Sequence, residues 1–321
     1  MKYFLSIDGG GTKTFYLLCD QQGRSLAGAF LATTHYLQCG LVKLTDNLNE
    51  GIASVCRSAK IDPQQITAAF FAAAGYGDIP ADEVKIKNAA QQAFGDIPWQ
   101  IGNDCENALI GSLAGQPGIN IVAGTGSIGL GIDETARLFR SGGWHHIYGG
   151  DEGSAYWLAC RLIQEFTKQA DGRKPKTLLY DYLRKTYDFT FDSDILVRCI
   201  EEWGFQREKI AAMAVDVYNC ALNGDPFCLD LYSLAAAELA EIISAIKTEL
   251  AFKLPIKVSY SGGVFNSGKL ILKPLESLLP KTDYLLCEPL LSPAAGGIIL
   301  AMRLAGLTPT ESILNKLKEA T

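Results

Sequence analysis

Two stretches more than a hundred residues apart share one pattern: an apolar strand, glycines mixed with hydroxyl residues, then another apolar strand. The first is SIDGGGTKTF, Ser6 to Phe15; the second is IVAGTGSIGL, Ile121 to Leu130. Glycine lets a backbone approach what a side chain would push away, and successive N–H groups in a turn form a cradle for anions. Neither stretch is a Walker loop, because G-x-x-x-x-G-K-[ST] is absent. Neither is a dinucleotide fingerprint, because a strand follows where a helix is required. What remains is a hairpin turn whose N–H groups, with the hydroxyls of Thr12 and Thr14 in the first and Thr125 in the second, suit phosphate oxygens. One such turn is explained equally well as a tight hairpin with no ligand. Two in equivalent places favour a ligand. A third glycine element, YSGGVFNSG from Tyr260, closes a strand and opens a helix, where N–H groups and the helix dipole suit a nucleotide.

The same order of elements surrounds both turns. KYFLSID, TFYLLCD and SLAGAFLA read as a three-strand meander. VKLTDNLNEGIASVCRSA has helical spacing of Leu44, Leu48, Ile52 and Val55. A buried strand ITAAFFAAAG, a helix ADEVKIKNAAQQAF, a strand WQIGND and a helix CENALIGSLAG follow. The order then restarts: GINIVAGTGSIGLGID and TARLFRSGG give three strands, and a helix-rich stretch covers about 152–252. The strand IKVSYSGG, the helix NSGKLILKPLESLL, the strand DYLLCE and a helix from Pro293 to Ala305 complete it. Two β-β-β-α-β-α-β-α halves predict an α/β fold made by internal duplication, with helices inserted in the second half. The expected N-terminal lobe is 1–114, completed by a C-terminal helix at about 306–321. The expected C-terminal lobe is 115–305. No low-complexity linker separates them, so a shared cleft is expected. The tail TPTESILNKLKEA predicts a capping box from Thr308 to Glu311, with Pro309 at the first helical position.

Composition narrows the function classes. Of 321 residues, 48% are hydrophobic and 20% charged, which suits a globular chain with a sizeable core. A net charge of −6 and no Lys/Arg run argue against nucleic acid or an anionic membrane as partner. No uninterrupted apolar run reaches the ~18 residues of a membrane span. The apolar run before Asp8 is too short for a signal peptide. Nine scattered cysteines without a C-x-x-C pair fit a reducing cytoplasm, mostly as small buried apolar side chains.

DGGGTKT, AGTGS and SGGVFNS resemble the phosphate-1, phosphate-2 and adenosine elements of the actin/hexokinase/Hsp70 ATPase superfamily. Within it, GGWHHIYGGDEGSAYWLA resembles the N-acetylglucosamine kinase group of the BadF/BadG/BcrA/BcrD ATPase family, and THYL after the third strand resembles that group's sugar-contacting loop. The resemblance touches both halves and is weakest over about 168–208. It implies two actin/hexokinase-like (ribonuclease H-like) lobes with a nucleotide and sugar cleft between them, and ATP and Mg²⁺ as cofactors. It implies transfer of the γ-phosphoryl group to an amino-sugar hydroxyl, foremost the 6-hydroxyl of N-acetylglucosamine. By the same resemblance ATP contacts Gly10, Gly11, Thr12, Lys13 and Thr14, then Gly124, Thr125 and Gly126, then Gly262, Gly263 and Ser267. Asp8 orients the metal. Asp104 is the catalytic acid–base group and touches the sugar, together with Thr34, Tyr36, Ser127, Gly143, Trp144 and Asp151. The implied partner is a small-molecule sugar, with a homodimer as a family-level expectation.

Read alone, several of these residues have plainer roles. Asp104 could cap the helix it opens, Asp8 could form the turn, and Lys13 could be a solvated charge. Glu152 could be an acid favoured by a helix dipole. The kinase role has its own logic for Asp104, since a sugar hydroxyl is a poor nucleophile that needs a carboxylate to take its proton. Thr34 and Ile128 stand where the family carries asparagines that contact the sugar, which leaves N-acetylmuramic acid, glucosamine or another hexose open. His145 and His146 lack further ligands at metal spacing and read as loop residues. An activator ATPase with an Fe–S cluster would need paired cysteines, whereas Cys105 and Cys160 are isolated. A non-enzymatic sugar sensor or actin-like assembly protein is the other rival. Against it stand the two carboxylates and the lack of an added DNA-binding module.

Overall fold

The first glycine turn joins β1 (Tyr3–Gly9) to β2 (Lys13–Asp20), and β3 (Ser25–Ala32) completes the antiparallel meander. In this computed structural model, which describes residues 1–148 and 150–319, the chain divides into two units. Unit 1 is Met1–Pro117 with Glu288–Thr321, and unit 2 is Gly118–Cys287.

In unit 1 the meander is followed by α1 (Tyr36–Ala59), β4 (Ile66–Ala73), α2 (Glu83–Phe94), β5 (Trp99–Asn103) and α3 (Asp104–Ser112). The strands lie in the order β3-β2-β1-β4-β5, with β4 parallel to β1 and β5 parallel to β4. Leu44, Leu48, Ile52 and Val55 of α1 bury into one core with Leu5, Ile7, Tyr16 and Leu18, as their spacing predicts. The helix starts six residues before the periodic stretch and kinks at Gly40, whose φ of 79° lies in the left-handed region.

Unit 2 repeats the plan. β6 (Gly118–Ala123), β7 (Ser127–Ile132) and β8 (Leu138–Gly142) form its meander. Then come α4 (Ala155–Ala170), α5 (Leu178–Thr186), α6 (Asp194–Val197), a π-helical turn at Arg198–Glu202, α7 (Arg207–Ala211), α8 (Ala214–Leu222) and α9 (Pro226–Glu249). β9 (Ile256–Ser261), α10 (Lys269–Leu278) and β10 (Tyr284–Leu286) close the sheet, in the order β10-β9-β6-β7-β8. Replacing each strand number by its partner five lower gives the order of the first sheet, so the α/β fold is duplicated. The second core gathers Ile119 and Ile121 with Leu158, Leu162 and Phe166 of α4 and Leu239, Ile243 and Ile246 of α9. Among the described residues no helix is long and apolar enough to cross a membrane.

The ends of the chain differ from expectation. The helix expected to finish the C-terminal lobe, α11 (Pro293–Leu304), packs on β1, β4 and α3 and so belongs to unit 1. The divisions fall at Pro117/Gly118 and Cys287/Glu288 rather than at 114/115 and 305/306. The reason is close backbone approach: a Cβ on Gly296 would lie 2.2 Å from the carbonyl oxygen of Asn107, and one on Gly111 would lie 2.2 Å from that of Ser292. The tail helix α12 (Glu311–Lys318) begins after Thr310 rather than Thr308, with no side-chain cap bond, and its first turn closes with Leu314 N–H donating to Thr310 O at 3.0 Å. That start lets Ile313 and Leu317 pack under the β2–β3 turn at Gly23.

Gly296→Ala tests the helix crossing. The methyl would meet backbone atoms that cannot yield, so the variant should lose ~1–3 kcal/mol or more. This should be read as a lower urea midpoint with β-sheet content retained. An unchanged midpoint would mean that α3 and α11 do not meet this way.

Candidate functional site

Unit 1 brings two carboxylates together. Asp8 ends β1, opposite Phe15 on β2 and Ala72 on β4. Asp104 is the first residue of α3 but does not cap it. Asn103 does: its side chain accepts from Cys105 N at 3.1 Å, and Glu106 Oε1 returns to accept from Asn103 N at 3.0 Å. With the cap supplied by its neighbour, Asp104 accepts locally from Cys105, through N–H at 3.1 Å and through the thiol at 3.8 Å. Its pKa is raised to about 6, first by burial and then by the negative charges of Asp8 and Asp78. Burial also raises Asp8, opposed by the Asn107 amide, which donates to its Oδ1 at 2.9 Å. Asn107 is itself buried, and its Oδ1 has no hydrogen-bond partner.

The two mutually repelling carboxylates offer only oxygen donors. Such a set fits a hard divalent cation better than a soft metal.

The first turn is closed by Gly10 N donating to Lys13 O at 3.0 Å, and Thr33 Oγ1 donates to Gly10 O at 2.7 Å. Gly9, not among the expected site residues, is more constrained than Gly10 or Gly11: a Cβ there would lie 2.6 Å from Thr34 Oγ1 and 2.8 Å from Ala72 O. Thr14 and Thr34 are both buried and spend their hydroxyls on each other, at 3.0 Å. Lys13 is exposed, its Nζ 4.2 Å from the centre of the Phe30 ring, which suits the solvated-charge role. Gly11 is half-buried and Thr12 exposed beside it. Tyr36 is buried with its hydroxyl directed to Asp82 at 3.3 Å.

Unit 2 builds a second cluster. Its turn is closed by Gly124 N donating to Gly126 O at 2.9 Å. The turn is then held on the N-terminus of α4: Ala155 N donates to Gly124 O at 2.9 Å and Tyr156 N to Thr125 O at 3.3 Å. Ser127 donates through Oγ to Glu152 O at 2.6 Å and through N to Asp151 Oδ1 at 3.2 Å. The other oxygen of Asp151 takes a charge-assisted bond from Arg207 Nη2, at 2.5 Å. This pair lies so close to the turn that a Cβ on Gly126 would meet both side chains. The third glycine element abuts the second: Gly262 has φ 101°, and a Cβ there would lie 2.4 Å from Ala123 O. Gly124 and Gly263 face open space. Ser267 Oγ is engaged with the Tyr232 hydroxyl at 2.7 Å. Gly143 and Trp144 both donate through N–H to Gly150 O, and the Trp144 side chain is exposed. Gly149 of the same loop lies outside the described residues.

Within its own unit, then, the structure gathers Asp8 with Asp104, and Gly124, Thr125, Gly126, Ser127, Asp151 and Gly262 with one another. Thr14, Thr34, Tyr36, Lys13 and Ser267 each have a protein partner already. Arg207 escaped the sequence reading, because it sits 56 residues from Asp151 on a five-residue helix with no motif around it.

A duplicated α/β fold with glycine-hydroxyl turns after the first strand of each repeat defines the actin/hexokinase-like class. Residues 5–300 match the BadF/BadG/BcrA/BcrD ATPase family, and the chain belongs to that family. It is 29% identical over 316 residues to the N-acetyl-D-glucosamine kinase of Dictyostelium discoideum, covering 93% of this chain and 97% of that protein. It is 28% identical over 272 residues to the N-acetylmuramic acid/N-acetylglucosamine kinase of Clostridium acetobutylicum, covering 83% and 87%. The fold is similar to that of a protein from Chromobacterium violaceum provisionally described as an N-acetylglucosamine kinase, with a TM-score of 0.71, 24% identity, and 94% and 99% of the two chains covered.

The pKa of Asp104 has a thermodynamic consequence. The folded state holds this proton up to about pH 6, whereas an unfolded carboxyl releases it near 4. The folded state therefore binds more protons in that window, and stability falls as pH rises through it. In metal-free protein with EDTA, Asp104→Asn should be more stable than wild type by ~1–3 kcal/mol at pH 7–8, the gap closing as pH falls to 4. Parallel urea midpoints at both ends of the range would contradict the burial of this charge.

Proposed function

We propose that the protein is an ATP-dependent amino-sugar kinase, with the 6-hydroxyl of N-acetylglucosamine as its foremost acceptor. N-acetylmuramic acid, glucosamine and another hexose are the alternative acceptors. The observation that carries the reading is the freed carboxylate of Asp104, uncapped and with a pKa near neutrality. A base of that strength is ionised at pH 7 yet retains affinity for a proton, as general-base removal of a hydroxyl proton requires. The kinase names of the two relatives support the reaction class.

In this reading Asp104 accepts the hydroxyl proton through a carboxylate oxygen and holds the alcohol oxygen in line with the γ-phosphorus. The open backbone around Gly124 and Gly263 leaves room for phosphate and nucleotide beside N–H donors. Asp8, held by Asn107, would hold Mg²⁺, which when bound neutralises charge building on the phosphate oxygens. Asp151 would accept hydrogen bonds from sugar hydroxyls. Exposed Trp144 would cover an apolar sugar face, and Gly143 leaves space beside Ile128, an apolar wall where the family's asparagine would be. A cytoplasmic setting and a homodimer complete the reading.

The test is ADP release with Mg-ATP over N-acetylglucosamine, N-acetylmuramic acid, N-acetylmannosamine, glucosamine and glucose. One or two N-acetylated sugars should dominate. Asp104→Asn should lower kcat by about 10²–10⁴-fold while ATP binding stays within about twofold. Sugar-independent turnover, or a full rate in the variant, would overturn the assignment.

A further inference from the structure

The proposed sugar ligand Asp151 is a nearly buried carboxylate, 6% exposed, and its charge is not left bare. Arg207, brought in by α7, grips Oδ2, while the Ser127 N–H occupies Oδ1. A carboxylate compensated in this way still has lone pairs for a sugar hydroxyl. It has lost most of its pull on a cation, and the guanidinium beside it repels one directly. The Arg207 Nε–H is buried without a partner, and so is Nδ1 of His146. Burial and the Arg207 charge lower the His146 pKa, so the imidazole next to this pair is neutral at pH 7. The cluster thus offers an unused donor and a neutral ring, with its buried carboxylate compensated and the next acid, Glu208, exposed beside Arg207. An amide carbonyl can take the spare N–H; an ammonium group cannot.

We propose that Arg207 is a specificity-determining residue: by neutralising Asp151 it selects N-acylated, uncharged amino sugars over the protonated free amine. The inference rests on the reading of Asp151 as a sugar ligand. It goes beyond that reading by naming what sets the substrate class. Removing the guanidinium leaves a buried carboxylate in need of a countercharge, which glucosamine can supply and N-acetylglucosamine cannot.

The experiment compares wild type, Arg207→Gln, Arg207→Lys and Asp151→Asn at pH 6.5. It reads KM and kcat for N-acetylglucosamine, the competitive inhibition constant of glucosamine, and KM for ATP. Arg207→Gln should raise the KM for N-acetylglucosamine by about 10-fold or more and shift preference toward glucosamine by at least about 10-fold, with KM for ATP unchanged. Arg207→Lys keeps the charge and should retain most of the wild-type preference. Equal weakening toward both sugars, or a matching change in KM for ATP, would reduce Arg207 to a structural tie between α7 and the Asp151 loop. The Asp151→Asn variant separates the two claims. If it leaves both sugar constants unchanged, the sugar-ligand reading fails. If it weakens both while Arg207→Gln preserves their ratio, only the Arg207 inference fails.

Discussion

The close approach of α3 and α11 through glycine is the constraint on which the chemistry of unit 1 depends. Where Gly111 and Gly296 face backbone carbonyls, any side chain would force the helices apart. Only with α3 seated at this depth can Asn107 reach across 99 residues of sequence to Asp8. The same seating puts Asp104 close enough to Asp8 for each to disfavour the other's charge. The site's electrostatics follow from a packing distance.

The two units treat buried carboxylates in opposite ways. Unit 1 leaves Asp8 and Asp104 with raised pKa values, a standing cost that persists because a cation and a proton can each relieve it. Unit 2 closes Asp151 with a guanidinium and a backbone N–H, which hold both of its oxygens in place. The contrast puts one residue type into two opposite electrostatic settings.

Much of this could be read in the sequence because it is local. The strand-turn-strand repeats, the buried β4 stretch and the α1 periodicity each depend on neighbours within a few residues, and the two sheets follow from their order. The packing of α11 on unit 1 could not be read this way, since its hydrophobic pattern is satisfied by any sheet; Gly296 reveals its partner only once Asn107 O is in place. Arg207 was hidden for the same reason, its meaning residing in a carboxylate 56 residues away. The tail start was hidden because Thr308 carries the full capping-box pattern, whereas the helix begins two residues later, after a Thr310 that makes no cap bond, where Leu317 fits under Gly23.

Duplication also explains why the acid is available at all. α3 and α11 occupy equivalent places at the ends of the two repeats, and each begins after a polar cap. Asn103 accepts from Cys105 N in one, and Ser292 accepts from Ala295 N in the other. In both helices the position after the cap has little backbone work left for its side chain. In α11 it is Pro293, whose missing N–H costs nothing there. In α3 it is Asp104, whose carboxylate can be turned to another use. A cap shifted by one residue would add further helix N–H donors to the Cys105 bond that Asp104 already accepts, and would lower its pKa more. Burial and the neighbouring acids can raise the Asp104 pKa because the asparagine before it does the capping.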